Sequence, residues 1–329
     1  MRGFSNKFAD FPDYIIGITR EIWEDRGIAT LHEYYAPDIV VRSPESVVRG
    51  NQSVIAATMA TLAEFPDRQL LGEDVIWSGT PEDGMLSSHR ILSTATHTQS
   101  GAYGPASGRK FRYRILADCH AKDNAIDDEW LIRDQGAIVR QMGQDPLAYT
   151  RDLIAREGGA EHCVKPLTPT NDMAGPYKGR GNDNEWGQRH ADLLIRIMGA
   201  DMAAVGTEYD RAAQVCYPGG IEGNGMAPVD TFWMGLRAAF PSAKFEIHHQ
   251  IGRDDPAMPP RSAIRWSLSG KHDGHGAFGP PTGAEVYVLG ISHAEFGAVV
   301  PGQVKLRREW TLYNDIAVWK QILLQTGAL

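Results

Sequence analysis

The strongest constraint on this fold is that the chain spells much of itself twice. Residues 101–108 read GAYGPASG and residues 276–283 read GAFGPPTG, 175 positions later. The same offset carries Phe65-Pro66 to Phe240-Pro241, Gly50 to Gly225, Glu33-Tyr34 to Glu208-Tyr209, Arg90 to Arg265 and His97 to His272. Towards the end it slips to 180, so that Glu129-Trp130 becomes Glu309-Trp310 and Gln141 becomes Gln321. A five-residue insertion in a hairpin over 296–302 accounts for the slip. Landmarks that hold register this far apart imply two copies of one domain, because solenoid repeats recur every ~20–50 residues.

The boundaries follow. Residues 8–156 make the first domain, 157–186 a Gly- and Pro-rich linker without apolar periodicity, and 187–329 the second domain. A chain of 329 residues with 42% hydrophobic and 22% charged residues has globular composition. Its net charge of −8 argues against a nucleic-acid backbone or an anionic membrane as partner. There is no apolar run long enough for a membrane span and no signal-peptide pattern at the start. Three scattered cysteines, Cys119, Cys163 and Cys216, form neither a disulfide framework nor a zinc motif, so a cytoplasmic setting is expected.

Each copy has the same order of elements. In the first, Ile15, Ile18 and Ile22 mark a helix, DIVVRS a short strand, and 51–65 a second helix with a stripe of Ile55, Met59 and Leu62. Strand-like segments follow at 69–78, 85–97, 109–121 and 125–134, then a helical tail. Helices followed by a run of antiparallel strands predict an α+β fold, here two tandem cone-shaped barrels, each curving over its helices around a pocket.

Chemistry is sought first in DDEWLIRDQG, 127–136. As a strand it puts Trp130, Ile132 and Asp134 on one face, and apolar neighbours that seek the interior would carry Asp134 with them. A buried carboxylate has a raised pKa and suits a base near neutral pH; the competing reading makes Asp134 the cap of the next helix. His97 and His272, just before the Gly-Pro loops, are read either as donors to a substrate oxygen or as turn residues bonded to their loops. His89 shares the strand face of His97. Asp118 and His120 form an acid/base pair or lie on an outer charged face. Arg42 is placed to hold an acidic group, or to form a salt bridge. Trp77, Trp130, Trp266 and Trp310 offer flat walls for a ring-shaped ligand, or plain core. KHDGHG at 271–276 lacks a fourth ligand, so no metal is expected, and no nucleotide-binding glycine motif follows a strand.

The element order, the Gly-Pro loop and the EWxxxDxxxxxxQ ending resemble the SnoaL-like polyketide cyclase family, of the nuclear-transport-factor-2-like cone fold. The resemblance covers nearly the whole chain as two copies. It implies a cofactor-independent enzyme of cyclase, isomerase or lyase type. In that family an Asp ending the last strand takes a proton from an activated carbon, and the role falls on Asp134, with His97 or His120 and Arg42 polarising an oxygen of a small, largely apolar ligand. The same fold serves non-catalytic binding proteins, dehydratases and small hydrolases, which stand as alternatives. In the second copy Asn314 takes the place of Asp134, and by the 175 offset Tyr217 takes that of Arg42, so the second pocket is expected to be degenerate. The family also implies an internal pseudo-dimer, with further homo-oligomers open.

Overall fold

The computed structural model describes residues 1–298 and 300–328; Val299, in the hairpin expected over 296–302, and Leu329, the last residue of the second expected domain, lie outside the described residues. In the first half, α1 (Phe11–Thr19) is capped by Asp10, whose side chain accepts from the Asp13 amide. α2 (Leu31–Tyr34) leads into β1 (Tyr35–Ser43) and β2 (Ser46–Arg49), and α3 (Asn51–Glu64) follows. The long strands β3 (Gln69–Thr80), β4 (Gly84–Thr96), β5 (Lys110–Lys122) and β6 (Ala125–Arg133) complete a sheet of order β2-β1-β6-β5-β4-β3. All neighbours are antiparallel except β1 and β6. Three helices close the half: α4 (Gln135–Gln141), α5 (Pro146–Arg156) and α6 (Gly159–His162).

The second half repeats this plan. α7 (Glu185–Met198), α8 (Ala203–Glu208), β7 (Tyr209–Tyr217), β8 (Ile221–Asn224) and α9 (Met226–Ala239) precede β9 (Lys244–Arg253), β10 (Arg261–Lys271), β11 (Glu285–Ala298) and β12 (Val304–Leu312); α10 (Asp315–Thr326) follows. Its sheet order, β8-β7-β12-β11-β10-β9, matches the first. The chain is therefore two α+β cones in tandem.

Strand register corrects two correspondences, of which the first is that Tyr35 and not Tyr34 answers to Tyr209, since Ile126 and Leu306 lie opposite them. Arg42 lies opposite Trp130, whereas Cys216 lies opposite Trp310. The partner of Arg42 is thus Cys216, and Tyr217 answers to Ser43. The cause is the turn after β7, one residue longer than that after β1, where Gly219 and Gly220 both take left-handed φ of 85° and 73°.

The sheets pack face to face. Leu116 and Ile132 meet Leu289, Ile291 and Leu312 in one apolar cluster; Ile76 and Leu86 meet Ile251 and Ala263 in another. The contact has near-twofold symmetry. Arg265 lies 3.5 Å over the Trp130 ring, and its counterpart Arg90 lies 3.5 Å over Trp310, the counterpart of Trp130. Asp118 accepts from Arg265 at 2.7 Å, and the Asp74–Arg261 pair bridges the same seam. The connector straps this seam: Leu167 donates to the Pro44 carbonyl, Asp172 accepts from Arg42, and the Tyr177 hydroxyl lies 2.7 Å from His249 Nε2.

Face-to-face packing buries both sides of each central strand, and this decides what β6 does. A register shift after Ile126 leaves Asp127 as a bulge. Beyond it Asp128, Trp130 and Ile132 face the other sheet, while Glu129, Leu131 and Arg133 face the interior of their own cone.

Candidate functional site: a cavity in the first cone

The first cone encloses a cavity of about 170 Å³. That is far above the ~10–15 Å³ needed to admit a single water, and leaves room for a small organic ligand. Ile15 and Ile18 of α1, Leu70 of β3, Ile91 of β4 and Ile115 and Ala117 of β5 form apolar walls. Ser46 and Val48 on β2 and the exposed Ser53 and Ala57 on α3 form the mouth. α3 turns Thr58 and Thr61 inward, which keeps that wall small and weakly polar.

Four polar side chains converge on this space. Glu129 is 6% exposed, and burial pushes its pKa up to about 7, although the Arg133 charge and the Tyr35 hydroxyl pull it down. Arg133 ends β6, and its Nε is buried with no hydrogen-bond partner. Arg68, just before β3, is 6% exposed and donates from Nε to Ser93 Oγ at 3.3 Å. Burial lowers its pKa, with the Tyr113 hydroxyl opposing and the Arg133 charge adding to the effect. Neither arginine has a carboxylate oxygen within 4.0 Å among the described residues. His89 on β4 sits with Nδ1 3.2 Å from Ser87 Oγ, and burial lowers its pKa to about 4, so it is neutral at pH 7. The set comprises a carboxyl group that titrates near neutrality, two cations and a neutral imidazole around an apolar space. That arrangement can remove a proton from carbon and hold the resulting negative oxygen.

Of the residues expected from sequence, His89 alone lies on this cavity. Asp134 is buried, and burial together with Asp315 raises its pKa to about 6. It points out of the cone, however. It caps α4 through the Ala137 amide at 3.0 Å and accepts from the Gly219 and Gly220 amides of the second half at 2.8 and 2.9 Å. Its oxygens are committed to three backbone donors that hold the carboxylate form, so it is a crosslink between the halves. Trp130 and Ile132 do carry it into a buried place, but that place lies between the two halves, where Asp134 lines a separate cleft of about 270 Å³ with Arg112, Arg114 and Glu222.

Several of the other corrections have the same cause. Arg42 pairs with Asp128 and Asp172 in the seam. Asp118 is held by Arg265, and Trp130 and Trp310 lie under arginines of the opposite sheet. His120 sits 2.6 Å from Asp127 and against the Tyr177 ring. Trp77 packs under Arg253 and beside Phe11. Asn314 caps α10 and donates to Glu45 and Gln135 of the first half. His97 is 3.0 Å from Ser107 Oγ and 3.3 Å from Glu64, and His272 is 3.0 Å from Thr282 Oγ1; both pin their loops. Among the described residues no three His, Cys, Asp or Glu side chains gather to hold a metal ion, and no helix is long and apolar enough to cross a membrane.

Glu129, Arg133 and Arg68 were missed. One signal for Glu129 was available, since it recurs as Glu309 beside the repeated tryptophan. Arg68 and Arg133 have no such signal, because Ala243 and Tyr313 stand in their places.

Residues 5–142 match the family model described as SnoaL-like polyketide cyclase. Similar solved structures include IdmH from Streptomyces antibioticus, 25% identical over 40% of this chain and 96% of its own, TM-score 0.35. TsrD from Streptomyces laurentii is 19% identical over 39% of this chain and 92% of its own, TM-score 0.34. A SnoaL-like polyketide cyclase from Agrobacterium tumefaciens is 19% identical over 42% and 98%, TM-score 0.32. No curated protein matches this sequence significantly.

Proposed function

We propose that the chain, whose residues 5–142 match the family model described as SnoaL-like polyketide cyclase, is an acid/base enzyme acting on a small, largely apolar carbonyl compound in the first cone. In this reading the domain over 8–156 is catalytic, and the domain over 187–329 is its scaffold. The observation that carries it is Glu129, a carboxyl group titrating at about 7 on the wall of an apolar cavity that also holds Arg133 and Arg68.

The step follows from those groups. The Glu129 carboxylate takes a proton from the carbon beside the ligand's carbonyl, and the C–H electron pair moves onto the carbonyl oxygen. The guanidinium groups hold the enolate so formed, and the apolar walls keep water away from it. The carbanion then adds to a second carbonyl of the same ligand, closing a ring while the new alkoxide takes the proton back from Glu129, or, where a C=C bond is conjugated with the enolate, the far carbon recovers that proton and an isomer results. No cofactor enters this scheme. The test is solvent-deuterium incorporation beside the carbonyl across a panel of small diketones and aryl ketones, followed by NMR. Wild type exchanges the proton and Glu129→Gln does not; equal exchange by both removes Glu129 from the role.

One observation favours a second reading, in which the cavity binds a ligand without transforming it: the strand-end aspartate is used up as a crosslink. That reading predicts saturable binding with no exchange for any compound that binds.

A further inference from the structure

The cavity's charge narrows the ligand class. This rests on the reading of the first cone as the ligand site and deepens it. Five arginines among the described residues are almost fully buried, at 3–6% exposure: Arg42, Arg68, Arg90, Arg261 and Arg265. Four pair with carboxylates, namely Asp128, Glu73, Asp74 and Asp118 respectively. The exception is Arg68, the one that lines the cavity. Close enough to repel it stands Arg133, also without a carboxylate partner and with an orphaned, buried Nε. Two guanidinium groups lining one largely apolar chamber are costly unless an anion joins them. Glu129 faces the same cavity, but it is one carboxyl group for two cations.

The second cone supplies a control within the molecule. Where its interior is filled by side chains, both cations are gone, Arg68 to Ala243 and Arg133 to Tyr313, while the acid persists as Glu309. The arginine pair therefore goes with the open cavity and not with the fold.

We infer that the first cone takes small carboxylic acids, with the carboxylate seated between Arg68 and Arg133 and the apolar body against the isoleucine walls. A bidentate guanidinium–carboxylate contact completes the pairing that the chain itself leaves open. The two guanidinium groups have donors enough for the carboxylate and for an enolate oxygen formed near it, so the substrate is a keto acid whose reacting carbonyl lies close to its acid group and within reach of Glu129.

The experiment uses the full chain and two probes of one shape, 2-naphthoate and 2-naphthamide, titrated at pH 7 by calorimetry, with the change in total tryptophan fluorescence, to which Trp23 on the cavity wall contributes, as a second readout. The expected result is that the acid binds at least about tenfold more tightly than the amide. Arg68→Met and Arg133→Met each weaken the acid by about tenfold or more and leave the amide within about threefold, which also shows that the variants are folded. Equal affinity for the two probes, absence of acid binding, or acid affinity unmoved by both substitutions overturns the inference. Its failure is separable from that of the proposed function. Deuterium exchange on neutral ketones without a preference for acids removes the carboxylate anchor and keeps Glu129 as base. Acid preference retained in Glu129→Gln, with exchange unchanged, does the reverse.

Discussion

Laid over one another, α3 and α9 set Ala57 against Phe232, Thr58 against Trp233 and Thr61 against Leu236. The strands continue the pattern: Ser43 against Tyr217, Ile91 against Trp266 and His89 against Ile264. One cone is hollow and the other is packed with rings. Tyr217 stacks on Phe232 at 3.9 Å, and Trp233 packs against Trp266 at 6.0 Å. Even the shared acid has different company. Glu309 accepts from Tyr209, Tyr217 and Thr311 at 2.8, 2.7 and 2.8 Å, whereas Glu129 keeps the Tyr35 hydroxyl beside it and otherwise faces the cavity. The same backbone thus serves as a vessel or as a solid core according to a handful of wall residues. Solidity adds buried apolar area and stability, and the hollow forgoes both in exchange for a site.

The largest expected effect separates the two acids. Glu129→Gln lowers proton exchange by about 10²–10⁴-fold, while Glu309→Gln leaves the rate within about threefold. Comparable losses from both would mean that the second cone takes part in the chemistry. Next comes the filling itself. Trp233→Thr, which copies the first cone into the second, costs about 3–5 kcal/mol in urea unfolding; the reverse change, Thr58→Trp, closes the cavity and abolishes ligand binding. Binding undiminished in Thr58→Trp would place the ligand elsewhere.

A third effect is read with pH. The Glu129 carboxyl has its pKa raised to about 7 in the folded state, from an ordinary value near 4.5. Its contribution to stability is therefore complete below about pH 4.5 and is lost as pH rises through 7, a difference on the order of 1–3 kcal/mol. Glu129→Gln removes this slope, and Glu309→Gln is its control for the caged acid. Activity runs the opposite way, with kcat/KM climbing as pH passes 7 and the base ionises. The smallest expected effect is that of Asp134→Asn on turnover, within about threefold, because its oxygens serve backbone amides. A loss of a hundredfold would restore it to the chemistry and break the comparison.

Much of the architecture could be read from the residues. The strand expected over 69–78 runs to Thr80, and those expected over 85–97, 109–121 and 125–134 form within a residue of those limits. The site was less legible, for one physical reason. Alternation along β6 reveals two sets of side chains but not which set faces inward when both sides of the sheet are buried. Trp130 and Ile132 mark the seam, and the inward set has the more polar sequence, Glu129-Leu131-Arg133. The stripe expected on α3 holds at Ile55, which packs against the core, and fails at Met59 for a related cause. Met59 is 55% exposed, while Thr58 is buried and Thr61 lines the cavity. A wall facing empty space has no need of large apolar groups, so hydrophobicity points away from it.

Asp134 and Asn314, the cap residues of α4 and α10, each grip the opposite half as well. They act as a pair of rivets, each driven from one cone into the other. Severing the connector between 157 and 186 would leave the pieces clamped together by these rivets and the seam. Producing either piece alone would leave a sheet of naked guanidinium and indole groups looking for its missing mate.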